Sequence, residues 1–150
     1  MGNLVLAIDQ GTTSTTALLI DADLNVVGRG SQEILPSFPQ YGWVEHDLDA
    51  IWNGTRKTIS EALGARPASQ IAAISITNQR ETVGAWDRKS GRPLHASIVW
   101  QCRRTASRCE QLRGQAGLEE YVKRTTGLVI DPYFSGTKME WLLNNVSGLN

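Results

Sequence analysis

The sequence predicts an α/β fold, and three observations carry that prediction. Leu4-Val5-Leu6-Ala7-Ile8 is an unbroken apolar run of strand length, followed across tight turns by two β-branched stretches. A stretch of helical spacing comes next, with its own start and stop residues. A second apolar run, Ile71 to Thr77, then returns the chain to strand.

Each element has its own local reason. After the first strand, Gly11 makes a turn, and Thr15 to Ile20 is β-branched and apolar enough for a second strand. Asp21-Ala22-Asp23 turns the chain into a third, Val26 to Ile34, completing an antiparallel meander. Pro36 to Gly42 is a loop. Asp47 is an N-cap residue; Leu48, Ile51, Trp52, Thr55, Ile59 and Leu63 follow at helical spacing, and Gly64 fits the C′ position. The strand over Ile71 to Thr77 has mostly small or apolar neighbours, which predicts a central place in the sheet. Thr82 to Trp86 and Leu94 to Trp100 flank Asp87-Arg88-Lys89-Ser90-Gly91 as a hairpin. Three helical stripes close the chain: Ala106, Cys109 and Leu112; Leu118, Tyr121 and Val122, ended by Gly127; and Met139, Leu142, Leu143 and Val146.

Composition narrows the function classes. At 150 residues the chain has room for one domain with a real core, and 41% apolar with 20% charged residues describes an ordinary soluble protein. The net charge is zero, yet residues 1–50 hold seven acids against Arg29 alone, and the rest hold fourteen bases against eight acids. Arg103, Arg104, Arg108 and Arg113 form only a sparse helical row of bases, so no nucleic-acid partner is expected. Cys102 and Cys109 stand seven apart, and His46 and His95 are isolated, which argues against a disulfide framework or a zinc site. Met1-Gly2-Asn3 leads straight into a strand and no 18-residue apolar run follows, so no membrane insertion is expected and the cytoplasm is the default.

Two constellations point to chemistry. Asp9-Gln10-Gly11-Thr12-Thr13-Ser14 ends a buried strand in a glycine turn rich in hydroxyls. Glycine lets backbone N–H groups converge on an anion, hydroxyls add donors without bulk, and an aspartate there can hold Mg²⁺. It is not a Walker A loop, because no Gly-Lys-Ser/Thr closes it and a strand follows. The competing reading is a hairpin turn using Asp and Gly for turn chemistry alone. The second constellation is Asn78-Gln79-Arg80-Glu81-Thr82, where a cation and an anion sit side by side past an apolar strand. Such a pair donates to some hydroxyls of a small polyol and accepts from others, provided the strand has ended and its alternation no longer separates the two side chains. Trp100 can cover carbon atoms, and Tyr133, in the loop after Asp131-Pro132, can reach a hydroxyl. A phosphate turn with a polyol site suggests a sugar or polyol kinase.

Five motifs together resemble the FGGY carbohydrate kinases, and within them the members that phosphorylate glycerol. They are Asp9 to Ser14, Gly42-Trp43-Val44-Glu45-His46-Asp47, Ile76 to Thr82, Trp100-Gln101-Cys102-Arg103-Arg104-Thr105, and Thr126 to Lys138. The resemblance implies the first part of the N-terminal domain of a ribonuclease H-like, actin-like ATPase over residues 1–150, with the rest of that domain and a second domain absent from this chain. It implies ATP and Mg²⁺ as cofactors and glycerol as acceptor. Thr12, Thr13 and Ser14 would touch the nucleotide phosphates, Asp9 would serve the metal, and Arg80, Glu81, Trp100 and Tyr133 would hold the substrate. No catalytic residue is expected in this chain, the base lying beyond Asn150, and a homo-oligomer is expected at full length. Thr16 stands where the bacterial pattern has a phosphate-binding arginine. The alternatives are a kinase for another small polyol or sugar, and a non-catalytic nucleotide- or polyol-binding module.

Overall fold

The computed structural model describes residues 2–149; Met1, expected to lead into the first strand, and Asn150 lie outside the described residues. In chain order the elements are β1 (Leu4–Gln10), β2 (Ser14–Ile20), β3 (Val26–Glu33), β4 (Glu45–His46), α1 (Leu48–Leu63), β5 (Ile71–Asn78), β6 (Val83–Trp86), β7 (Pro93–Ile98), α2 (Ala106–Arg113), α3 (Leu118–Thr126) and α4 (Ser135–Asn145). They fall into two compact units: Met1–Pro36 with Asp47–Gln79, and Ser37–His46 with Arg80–Asn150.

The first unit is a sheet of order β3-β2-β1-β5 with α1 against it. β1, β2 and β3 form the expected antiparallel meander, and β5 runs parallel to β1. Leu4, Leu6 and Ile8 alternate into the core, where they meet Ala17 and Leu19 of β2 and Ala62 of α1. Asp47 caps α1, its Oδ1 accepting from the N–H groups of Asp49 at 2.8 Å and Ala50 at 3.2 Å. Gly64 ends the helix at φ +58°, in the left-handed region that favours glycine.

Two expectations for this unit need correcting. β5 is not central: among the described residues it is an edge strand paired with β1, and Ile74 and Ile76 are 61% and 69% exposed. An apolar strand reports that it is suited to burial, not which residues bury it. The inward face of the helix is also shifted from the expected one. Gly54, Thr58 and Ala62 are its buried residues; Ile59 and Leu63 of the expected stripe pack beside them, but Trp52 is 61% exposed. The cause lies in β3. A Cβ at Gly28 would stand 2.0 Å from the Ala62 carbonyl oxygen, and one at Gly30 2.2 Å from that of Thr58. Helix and strand meet backbone to backbone, which only small residues allow.

The second unit holds a three-stranded antiparallel sheet of order β4-β7-β6. β6 and β7 form the expected hairpin, and Asp87 Oδ1 braces its loop by accepting from Ser90 N at 2.7 Å and Ser90 Oγ at 2.6 Å. β4 was not expected, since two residues are too few to show any periodicity. Val83, Ile98, Cys102 and Leu142 make the core, packed against Trp43 and Trp141. The Arg104 side chain is fully buried among them. Its guanidinium lies 3.9 Å from the Trp43 ring centroid and 4.6 Å from that of Trp141, with Nη2 donating to Glu45 Oε1 at 2.5 Å.

The helical stripes face inward only in part. Leu142 and Cys109 are buried, but Met139, Leu143 and Tyr121 are exposed, and no α3 residue is buried. Both cysteines, Cys102 and Cys109, are free and buried. Among the described residues no three His, Cys, Asp or Glu side chains cluster as a metal site, and no helix is long and apolar enough to cross a membrane.

Candidate active site

The glycine turn sits between β1 and β2 in the first unit. Asp9, exposed near the end of β1, lies opposite Thr16 of β2 and Thr77 of β5. Gly11 N–H donates to the Ser14 carbonyl at 2.9 Å, and Ile34 N–H donates to the Thr13 carbonyl at 2.8 Å. The Gly11 N–H is therefore committed to the turn itself and is not one of the donors an anion would meet. The hydroxyl run divides as well. Thr12, Thr13 and Ser14 are at the turn and reach solvent, whereas Thr15 is buried in the sheet and Thr16 Oγ1 lies 3.2 Å from Ser31 Oγ.

Sequence reasoning missed the residue that holds this turn. Gln79, only 7% exposed, donates its backbone N–H to the Gln10 carbonyl at 2.8 Å. Its side-chain Nε2 reaches the Gly11 carbonyl at 3.3 Å and Gln10 Oε1 at 3.4 Å, and Gln10 Nε2 donates to the same Gly11 carbonyl at 2.8 Å. Two amides thus fix the oxygen next to Thr12. The signal was a polar amide immediately after an apolar strand, read only as the end of that strand.

The four residues expected to hold the substrate lie in the second unit. β5 ends at Asn78, so Arg80 and Glu81 are free of strand alternation, as the polyol reading requires. Glu81 adopts φ +65°, a left-handed conformation rare for a residue with a side chain. Its Oε2 accepts from Ser135 N at 2.8 Å and Ser135 Oγ at 2.6 Å. The Ser135 hydroxyl holds the Glu81 carboxyl below its ordinary pKa, against a partial opposition from burial and with help from Lys138 and the exposed Arg80.

Trp100 and Tyr133 meet edge to face with ring centroids 5.7 Å apart. Trp100 N–H donates to Thr82 Oγ1 at 3.2 Å, tying it to the residue after Glu81. Tyr133 N–H donates to Asp131 Oδ1 at 2.8 Å, and Arg103 Nη1 lies 3.3 Å from that same oxygen. Lys138, fully buried, donates to the carbonyls of Tyr133 and Phe134. The structure therefore links Glu81, Trp100 and Tyr133 through short bridges. Ser135 and Lys138, which hold Glu81 and the Tyr133 loop, lie inside the Thr126 to Lys138 motif. Two cavities of about 300 Å³ and 490 Å³ run along α2–α4, and Arg80, Glu81, Trp100 and Tyr133 line neither.

The fold is shared with solved structures. A glycerol kinase from Plasmodium falciparum with ADP superposes with a TM-score of 0.85 at 31% identity, over 96% of this chain and 29% of that one. A xylulose kinase from Rhodospirillum rubrum gives 0.83 at 27%, over 95% and 28%. The class is thus a carbohydrate-kinase domain of the ribonuclease H-like, actin-like ATPase fold, as expected. Residues 4–150 match the N-terminal domain of the FGGY family of carbohydrate kinases, and the chain belongs to that family. It is 56% identical over 146 residues to glycerol kinase 2 of Pseudomonas aeruginosa, and 55% identical over 150 residues to the glycerol kinase of Allorhizobium ampelinum. These alignments cover 96% and 99% of this chain, but only 29% and 30% of the relatives' length.

Proposed function

We propose that this chain is the first part of the N-terminal domain of an ATP-dependent kinase that transfers a phosphoryl group to glycerol, giving sn-glycerol 3-phosphate. The observation that carries the reading is Glu81. A glutamate held in a left-handed conformation, with one carboxylate oxygen bound by Ser135 and the other left to accept, suits a small polyol hydroxyl. Arg80 supplies the matching donor, and Trp100 with Tyr133 supplies an apolar edge and a phenol. The identity of about 55% to glycerol kinases supports glycerol over the five-carbon sugars of the 27% identical xylulose kinase.

Thr12, Thr13 and Ser14 contact the β- and γ-phosphates in this reading, and Gln79 fixes the turn that carries them. Asp9 suits Mg²⁺, which is commonly held by one or two carboxylates together with substrate phosphates and water. The exposed carboxylate of Asp9 fits that pattern. When bound, the metal offsets phosphate charge during transfer. The catalytic base and most of the adenosine site belong to the longer protein, which works in the cytoplasm as a homo-oligomer.

Steady-state kinetics of the complete enzyme with ATP, Mg²⁺ and a panel of glycerol, xylulose and related polyols tests the reading. Glycerol gives the highest kcat/KM. Glu81→Ala lowers it about ten- to hundredfold, since an unpaired buried hydroxyl costs about 1–3 kcal/mol. A preference for a sugar, or an unchanged constant in that variant, overturns it.

A further inference from the structure

We propose that the first turn of α4 is the positioning element of the acceptor site, with Ser135 orienting the Glu81 carboxylate and Lys138 fixing the Tyr133 loop. The inference rests on the reading that Glu81 and Tyr133 hold the acceptor, and it assigns the residues that set their geometry.

The first observation is a missing cap. Phe134 is the N-cap residue of α4 and makes no side-chain cap hydrogen bond, because a phenyl ring has no acceptor. Glu81, 54 residues before Ser135, supplies that acceptor. Its Oε2 takes both the Ser135 N–H and the Ser135 hydroxyl. A carboxylate at a helix N-terminus is held by the N–H groups there and by the helix dipole. With both Ser135 donors on Oε2, the carboxylate no longer rotates freely about its last bond, and Oε1 becomes the oxygen offered to a ligand.

The second observation is a buried cation. Lys138 is fully buried, and its Nζ donates to two carbonyls, those of Tyr133 and Phe134, not to a carboxylate. Burial pushes its pKa down, and the charge of Glu81 is the largest influence opposing that shift. An apolar side chain would fill the same space without the cost of desolvating an ammonium. What an apolar residue cannot do is hold the Tyr133 carbonyl while balancing Glu81. One helical turn therefore fixes the acceptor oxygen through Ser135 and the phenol-bearing loop through Lys138.

The test uses the complete enzyme with four variants: Glu81→Ala, Ser135→Ala, Ser135→Thr and Lys138→Met. Ser135→Ala is expected to raise the KM for glycerol about five- to thirtyfold, the loss of one charge-assisted hydrogen bond. The KM for ATP should stay within about twofold, and Ser135→Thr, which restores the hydroxyl, should recover most of the loss. Lys138→Met should raise the glycerol KM in the same selective way; if it does not fold, the two Ser135 variants decide. A Ser135→Ala enzyme with an unchanged glycerol KM, beside a strongly impaired Glu81→Ala, overturns the positioning role and leaves the acceptor reading standing. Equal rises in both KM values also overturn it, because they report general loosening of the fold. A Glu81→Ala enzyme with normal glycerol kinetics overturns the acceptor reading and this inference with it.

Discussion

Replacing Glu81 by glycine and by alanine separates the strain at this position from its chemistry. Both substitutions remove the carboxylate, so both lose the bonds from Ser135 N and Oγ that cap α4. Loss of such a cap costs about 1 kcal/mol, common to the two variants. They differ in the backbone. At φ +65° a residue with a Cβ carries about 1–2 kcal/mol of strain that glycine does not. Glycine returns about 0.5–1 kcal/mol of this through its freer unfolded chain. The net expectation is that Glu81→Gly is more stable than Glu81→Ala by about 0.5–1 kcal/mol. Urea unfolding followed by tryptophan fluorescence measures the difference, as a higher midpoint for the glycine variant at equal slope. Glycerol affinity, measured on the same samples, should be lost equally in both. If alanine matched or exceeded glycine in stability, the left-handed conformation would not be strained. If the glycine variant kept normal affinity, the Glu81 carboxylate would not be the group that holds glycerol.

Three further expectations follow from other parts of the structure. Gly30→Ala should destabilise the protein by about 1–3 kcal/mol, because its Cβ would lie 2.2 Å from the Thr58 carbonyl and must push α1 away; an unchanged urea midpoint would refute the close packing. Gln79→Leu removes one amide from the Gly11 carbonyl, so the KM for ATP should rise about three- to tenfold with that for glycerol nearly unchanged, while equal changes would deny its tie to the phosphate turn. The third concerns pH. The Glu81 carboxyl sits below its ordinary pKa, so its contribution is complete above the ordinary glutamate value and is lost as pH falls through the lowered one. Ser135→Ala should therefore shift the acid limb of glycerol binding upward; titration calorimetry across about pH 3–7 that found the two limbs coincident would remove Ser135 as the cause.

Local chemistry was legible in the sequence. The meander, the Asp47 cap, the Gly64 and Gly127 ends and the Asp87–Gly91 hairpin loop rest on neighbours within a few residues, and the sequence itself holds those neighbours. Five short motifs sufficed for the family, because each keeps its residues at fixed spacing along the chain. Chain order also disclosed that Arg80 and Glu81 follow the end of a strand.

Contacts between distant residues were decided by tertiary structure alone. Hydrophobic periodicity pointed Trp52 inward, but Gly28 and Gly30 of β3 admit only the small face of α1, a matter of steric fit between segments about 30 residues apart. The apolar content of β5 implied a central strand, whereas pairing, which depends on what lies alongside, leaves it at an edge among the described residues. Backbone N–H groups of the Gly11 turn were expected to converge on an anion, and that of Gly11 itself closes the turn on the Ser14 carbonyl. Gln79 reaches the Gly11 turn across 68 residues of chain, and Ser135 reaches Glu81 across 54. Hydrogen-bond geometry depends on positions in space, so spacing along the chain could name Glu81 but not the serine that aims it.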